Sequence, residues 1–235
     1  VQRETLNEHP PEADPFSRVN AHVSRFHPIC ALLVLSWSSA SSPDGDLSVF
    51  PARKELVLGR RADAKIRANR REFPIPGRQN HPGAYAYFQG MVDTIVARGE
   101  VAHAGVFPQR VTPIHKAVPH AFTTPVGVLY VHTGRIKSPD SGDQLAGVLG
   151  HEMSHAAARH STDRLTKQYG ISTLLRLVGT NAEGSLADRV AGRLLHLRLS
   201  RRDGAEADAH SVDCLCPTPY AANGAAAIAH FKQSL

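Results

Sequence analysis

His151, Glu152 and His155 are the residues of this chain best spaced to do chemistry. On a helix, positions four apart lie one above the other on the same face. His151 and His155 can then present two imidazole nitrogens to one tetrahedral metal ion. Glu152 sits about 100° further around the axis, within reach of a proton on an attacking water. His-Glu-x-x-His on a helix is the pattern of zinc-assisted peptide hydrolysis. The expected cofactor is Zn2+ and the expected reaction is cleavage of a peptide bond. The chain holds 14 histidines in 235 residues, which raises the chance of an accidental match. The flanking sequence lowers it.

The elements that must position these residues can be read from the same sequence. Ser141 and Gln144 have capping-box spacing, and Asp143 places negative charge in a first turn. Leu145, Val148, Leu149 and Ala156 form an apolar stripe at helical spacing. A helix over 142–160, buried on one side, is predicted. Upstream, 55–69 and 85–98 read as amphipathic helices, the second with Tyr85, Phe88, Met91, Val92, Ile95 and Val96 inward. Between them, 73–83 carries Pro74, Pro76, Gly77, Pro82 and Gly83 and reads as a connector. Residues 107–136 are strand-like; Val126, Val128, Tyr130 and His132 alternate with Gly127, Leu129 and Val131. Downstream come a helical stretch at 163–180, a long helix at 184–199 continuing toward 213, and a helix at 223–234. Helices, a small sheet, then helices predict an α+β fold. It is mainly helical, with a modest antiparallel or mixed sheet beside the His-Glu-x-x-His helix.

Composition sets wider bounds. At 42% hydrophobic and 20% charged, the chain is ordinary globular material that can bury a core without disulfides. Three cysteines, Cys30, Cys214 and Cys216, make no disulfide framework; Cys214 and Cys216 read as buried thiols on one face of a short segment. The net charge is +6. Its one cluster, Arg60, Arg61, Lys65, Arg67, Arg70 and Arg71, reads first as a solvated helix face, and second as a surface for acidic lipid or nucleic acid. No nucleic-acid motif is present, and no nucleic-acid partner is expected. Residues 1–42 divide from 43–235. Residues 1–24 are polar, proline-bearing and expected to be disordered. Residues 24–42 run from a basic residue through about ten apolar residues to small ones, the layout of a secretory signal; the alternative is a buried strand or helix. The remainder, 43–235, is expected to be a single catalytic domain.

Several stretches resemble one known group, the HtpX-like gluzincin zinc peptidases. That group also holds the CAAX prenyl proteases, the mitochondrial Oma-type proteases and the soluble periplasmic BepA/LoiP-type proteases. Leu145 to His155, followed by Arg159-His160, is the most specific match. Leu56 to Ala62, His120 to Gly127, Tyr130 to Gly134, Ser200-Arg201 and Glu206-Ala207-Asp208 resemble further family motifs. The soluble periplasmic branch fits best. The resemblance implies a zincin-type domain. It also implies a zinc metalloendopeptidase acting on unfolded or misassembled polypeptides in the periplasm or cell envelope. An association with membrane or envelope assembly proteins is a further expectation.

The chain departs from the family at one consequential position. The family's third zinc ligand is a glutamate, and here that position is Gly204. A glycine has no ligand atom, and catalytic zinc takes three protein ligands plus water. Glu206, with the longer reach, is the candidate replacement. Asp203 is an alternative, and so is a site completed by water. The resemblance assigns Asp208 the task of orienting a ligand histidine. His120 replaces a family asparagine and is a candidate donor to a developing oxyanion, or else a histidine capping a strand end. His132 and His160 read as structural or surface residues. The substrate is expected to lie extended along the sheet edge near 121–128. The rival to an enzyme is a degenerate peptidase fold that binds polypeptides without cutting them.

Overall fold

The computed structural model describes residues 50–118, 120–134, 142–179, 185–194 and 197–220. The predicted Ser141 cap, the 24–42 segment, Cys30 and the 223–234 helix lie outside these residues. Helix α1, Ala52–Ala68, starts just after Pro51 and buries Glu55, Leu58, Gly59, Ala62 and Ile66. Those positions recur every three or four residues, so one stripe faces inward. Arg60, Arg67, Arg70 and Arg71 stay exposed, on and just beyond its outer side. Helix α2, Pro82–Arg98, opens on a proline, whose missing N–H has no partner to lose in a first turn. It buries Ala84, Tyr85, Phe88, Met91, Val92 and Ile95.

Three strands follow: β1 Arg110–Ile114, β2 Ala121–Thr123 and β3 Val128–His132. Their order is β1-β3-β2. β1 runs parallel to β3, with Val111 opposite Leu129. β2 runs antiparallel to β3, with Phe122 opposite Tyr130. The sheet is therefore mixed, and β2 is an edge strand. The predicted alternation holds in β3, yet all five residues are buried. Leu129 and Val131 face a core shared with α2 and the following helix, while Val128 and Tyr130 face Ile66, Phe107 and Ile114. Both faces of the strand are covered, so the alternation shows in partners and not in exposure. Val126 and Gly127 belong to the hairpin turn instead of the strand. Gly127 sits at φ 72°, a conformation that suits glycine.

Helix α3, Gly142–Ala157, carries the His-Glu-x-x-His segment, and every residue from Leu145 to Ala156 is buried. The one-sided stripe predicted from sequence is thus a helix enclosed all round. It also stops earlier than predicted. Arg159 adopts the left-handed conformation, φ 58° and ψ 25°, and α4, His160–Tyr169, leaves in a new direction. For a non-glycine residue that conformation costs about 1–2 kcal/mol. Arg159 offsets it with a charge-assisted hydrogen bond from Nε to Glu55 Oε1 at 2.9 Å, a second contact to the same oxygen at 2.8 Å, and a hydrogen bond to the Phe50 carbonyl.

The predicted 163–180 stretch is broken at Gly170, φ 76°, into α4 and α5, Ile171–Gly179. The predicted long helix is likewise two: α6, Ser185–Leu194, and α7, Arg201–Leu215. The second start comes from a capping box. Ser200 Oγ accepts from the Asp203 N–H at 3.1 Å, and Asp203 Oδ2 accepts from the Ser200 N–H at 2.7 Å. Leu58, Leu165, Leu174, Leu177 and Val190 form the core of α1 with α4 to α6. Cys214 is buried on α7 but Cys216 is exposed, contrary to the expectation of two buried thiols. Residues two apart on a helix point in different directions. Among the described residues no helix is long and apolar enough to cross a membrane.

Candidate metal centre

The site lies where α3 and α7 pack together. Gly150 makes the approach possible: a Cβ there would already stand 3.2 Å from the Leu215 side chain. One residue later the functional segment begins. His151, Glu152 and His155 are 6–7% exposed, so all three are held in a largely dry environment.

Each imidazole is gripped from behind. His151 Nδ1 lies 3.0 Å from Asp208 Oδ1 on α7. That is an ion-pair separation without hydrogen-bond geometry; a carboxylate beside Nδ1 favours a proton there and leaves Nε2 as the nitrogen to offer a metal. His155 Nδ1 lies 2.8 Å from His160 Nδ1, across the break at Arg159. The two forward nitrogens, His151 Nε2 and His155 Nε2, are 3.1 Å apart, and the rings stand perpendicular. Two nitrogens bound to a tetrahedral zinc at about 2.0–2.1 Å lie about 3.3–3.4 Å from each other. Burial, with His151 and His160 close by, pushes the His155 pKa down to about 3. His155 is neutral at physiological pH and keeps a lone pair to offer. Two of the tetrahedral positions therefore fit a divalent ion such as zinc.

The third does not come from the expected place. Gly204 projects into open space; a Cβ added there meets nothing within 4 Å. Among the described residues no group of three His, Cys, Asp or Glu side chains is arranged to hold a metal. Glu206 turns to other partners, with Oε2 3.6 Å from His160 Nε2 and Oε1 3.9 Å from His210 Nε2. Asp203 is committed to the α7 cap. Burial raises its pKa, and the Ser200 hydrogen bonds with His160 and His155 more than offset that, for a net lowering.

His120, placed just before β2, is exposed. Its ring stacks 5.6 Å from Phe122 and stands edge-on 5.2 Å from His132. Phe122 stacks in turn on Tyr130 at 5.0 Å, and the Tyr130 hydroxyl donates to Asp63 on α1. His132 is buried, with Nδ1 3.1 Å from the Val118 carbonyl. Burial and the neighbouring His120 push its pKa down to about 4. His120 thus belongs to an aromatic layer on the β2 side of the sheet.

The structure brings His151, His155 and Asp208 together and places Glu206 beside His160 and His210. Sequence reasoning read His160 as a structural or surface residue and gave Arg159 and Glu55 no role at the site. His155 and His160 are five apart, a spacing that does not share a face on a continuous helix. Only the break at Arg159 makes them touch, and the residue that fixes the break, Glu55, is 104 positions away.

The profile of Peptidase family M48 matches residues 84–233 of this chain. Over 112 residues the chain is 29% identical to the "Mitochondrial metalloendopeptidase OMA1" of Arabidopsis thaliana, covering 48% of this chain and 23% of that protein. Over 97 residues it is 32% identical to the "Mitochondrial metalloendopeptidase OMA1" of Schizosaccharomyces pombe, covering 40% of this chain and 29% of that protein. The chain spans less than a third of the length of these curated relatives.

Proposed function

The chain belongs to peptidase family M48, and from that premise we propose that it is a zinc-dependent metalloendopeptidase that cleaves unfolded or misassembled polypeptides in the cell envelope. The observation that carries this reading is the 3.1 Å convergence of His151 Nε2 and His155 Nε2, with Glu152 beside them on α3. When bound, zinc supplies a Lewis acid and lowers the pKa of water toward neutrality. His151 and His155 would hold the ion, with Asp208 beside His151 to orient it. Glu152 accepts the proton of the attacking water and returns it to the leaving amine. Among the described residues β2 pairs with β3 alone, and its outer edge is where an extended substrate strand would add, read mainly through its backbone. That suits unfolded segments. His120, next to β2, is the proposed donor to the oxyanion. The envelope location rests on the signal-like layout of 24–42.

A second reading has one observation in its favour, the open space at Gly204. In it the fold is a degenerate peptidase that binds polypeptides without cutting them. Metal analysis separates the two. Near-stoichiometric zinc, with casein cleavage that disappears in Glu152→Gln while zinc is retained, supports the enzyme. A metal-free protein that binds peptide supports the second reading, and cleavage that survives Glu152→Gln removes Glu152 from its role.

A further inference from the structure

The two faces of the edge strand β2 differ. Ala121 joins the core that Leu145, Val148 and Leu149 of α3 share with the sheet. Phe122 points the other way, toward Phe73 and Tyr130, and is only partly buried. Its ring stacks on Tyr130 of β3 at 5.0 Å with 15° between the planes. Tyr130 is pinned in turn by the hydrogen bond from its hydroxyl to Asp63. The exposed His120 ring lies 5.6 Å from Phe122 at 28°, and Phe73 tilts against it at 6.1 Å. On the β3 side Phe122 therefore has the cross-strand aromatic partner that a sheet favours. On the outer side, among the described residues, no strand supplies one.

A strand added to that edge alternates its side chains between the two faces. Whichever way it runs, the residue paired with Phe122 sets its side chain beside that ring. The residues on either side of it face α3, the helix that carries His151, Glu152 and His155. We propose that Phe122, flanked by His120 and Phe73, is a binding subsite for an aromatic side chain of the substrate, carried by the residue that pairs across the edge of β2 and points away from α3. The substrate ring extends the row that Tyr130 and Phe122 begin. Lys116 Nζ already stands 5.7 Å from the centre of the Phe73 ring, and its charge disfavours a lysine or arginine in the same place. The inference rests on the reading of β2 as the substrate edge and narrows it. Backbone pairing accepts any extended segment. This contact prefers segments that expose an aromatic residue, which folded proteins mostly bury.

The test uses the whole chain supplied with zinc, as Glu152→Gln so that bound peptide stays intact. The probes are otherwise identical extended peptides with phenylalanine, cyclohexylalanine, alanine or lysine at one position, which is moved along the peptide. Phenylalanine at one register should bind about 2–10-fold more tightly than cyclohexylalanine, the size of one aromatic pair beyond its buried area. Alanine and lysine should bind more weakly than either. Phe122→Leu keeps an apolar side chain against Tyr130 and removes the ring. It should erase the gap between phenylalanine and cyclohexylalanine and leave the alanine peptide as it was. In the protein with Glu152 intact, the same phenylalanine should lower KM and leave kcat unchanged, because the contact is equal in ground and transition states. Equal binding of phenylalanine and alanine peptides at every register overturns the proposal. So does a phenylalanine preference that survives Phe122→Leu in a variant that melts normally. If Phe122→Leu does not fold, the peptide series on the Glu152→Gln chain decides alone. A chain that selects the phenylalanine peptide and never cuts it with Glu152 intact refutes the proposed enzyme and upholds the subsite; a chain that binds no peptide refutes both.

Discussion

The two walls of the site differ in how completely they are determined. On the α3 wall each imidazole has a partner behind it, Asp208 for His151 and His160 for His155. The corner that brings His160 into place is locked by a buried ion pair between Arg159 and Glu55. On the α7 wall the position facing the site is Gly204, beside empty space. The contrast separates two things that a metal site requires. Orientation is a property of packing, distributed over α1, α3, α4 and α7. Ligand identity is a property of single side chains. Among the described residues the packing behind the two imidazoles is present, and position 204 carries no ligand atom.

Breaking the determined wall should have the largest effect. Glu55 is fully buried, and its removal strands the Arg159 guanidinium. Losing one partner of a buried pair costs about 3–5 kcal/mol, so Glu55→Ala should lower the urea midpoint by a corresponding amount. Replacing both residues with methionine should restore much of the loss, because no charge is then left buried alone. A cost for Glu55→Ala under about 1 kcal/mol, the range of an exposed pair, would mean that the corner is held by something else. Next in size is Asp208→Ala. Its side chain is about one-fifth exposed, so the fold should tolerate the change, while zinc affinity falls by about 10–100-fold. Equal affinity in the variant would show that His151 needs no support from α7.

The difference between the walls also explains what could be read from sequence. The α3 helix, its two histidines and Glu152 are local patterns, visible within fifteen residues. The sheet was legible as alternation from Val126 to His132, although the covering of both faces was not. The ends of helices were read less well. The break at Arg159 depends on Glu55, and nothing near 159 announces it. The start of α7 is written in Ser200 and Asp203, a capping pair that lies inside a continuous apolar pattern and so does not stand out from it. Glu206 was favoured as a ligand for its reach. Its direction is set by His160 and His210, and His160 comes within range only after the chain has turned.

Sharpening the contrast requires filling the open wall. Gly204→Glu adds a carboxylate on the α7 face one turn before Asp208, where no atom obstructs its Cβ. Zinc affinity should rise by at least about tenfold, or about 1.4 kcal/mol, because a third protein donor completes the usual catalytic set. An unchanged affinity would place the missing donor elsewhere in the chain.

The control for that gain is the smallest effect of all. Any side chain at 204 also removes a glycine from a helix, and that change by itself stabilises by about 0.5–1 kcal/mol. Gly204→Ala isolates it: the Cβ meets nothing within 4 Å, so no clash opposes the entropic gain. Thermal melting should rise slightly while zinc affinity stays where it was. If Gly204→Ala tightened zinc as much as Gly204→Glu, the benefit would come from stiffening the first turns of α7, with Asp208 held more firmly against His151. The open wall would then be deficient in rigidity and not in a ligand. If only the glutamate tightens zinc, the deficiency is chemical, and the packing that aims the imidazoles was complete without it.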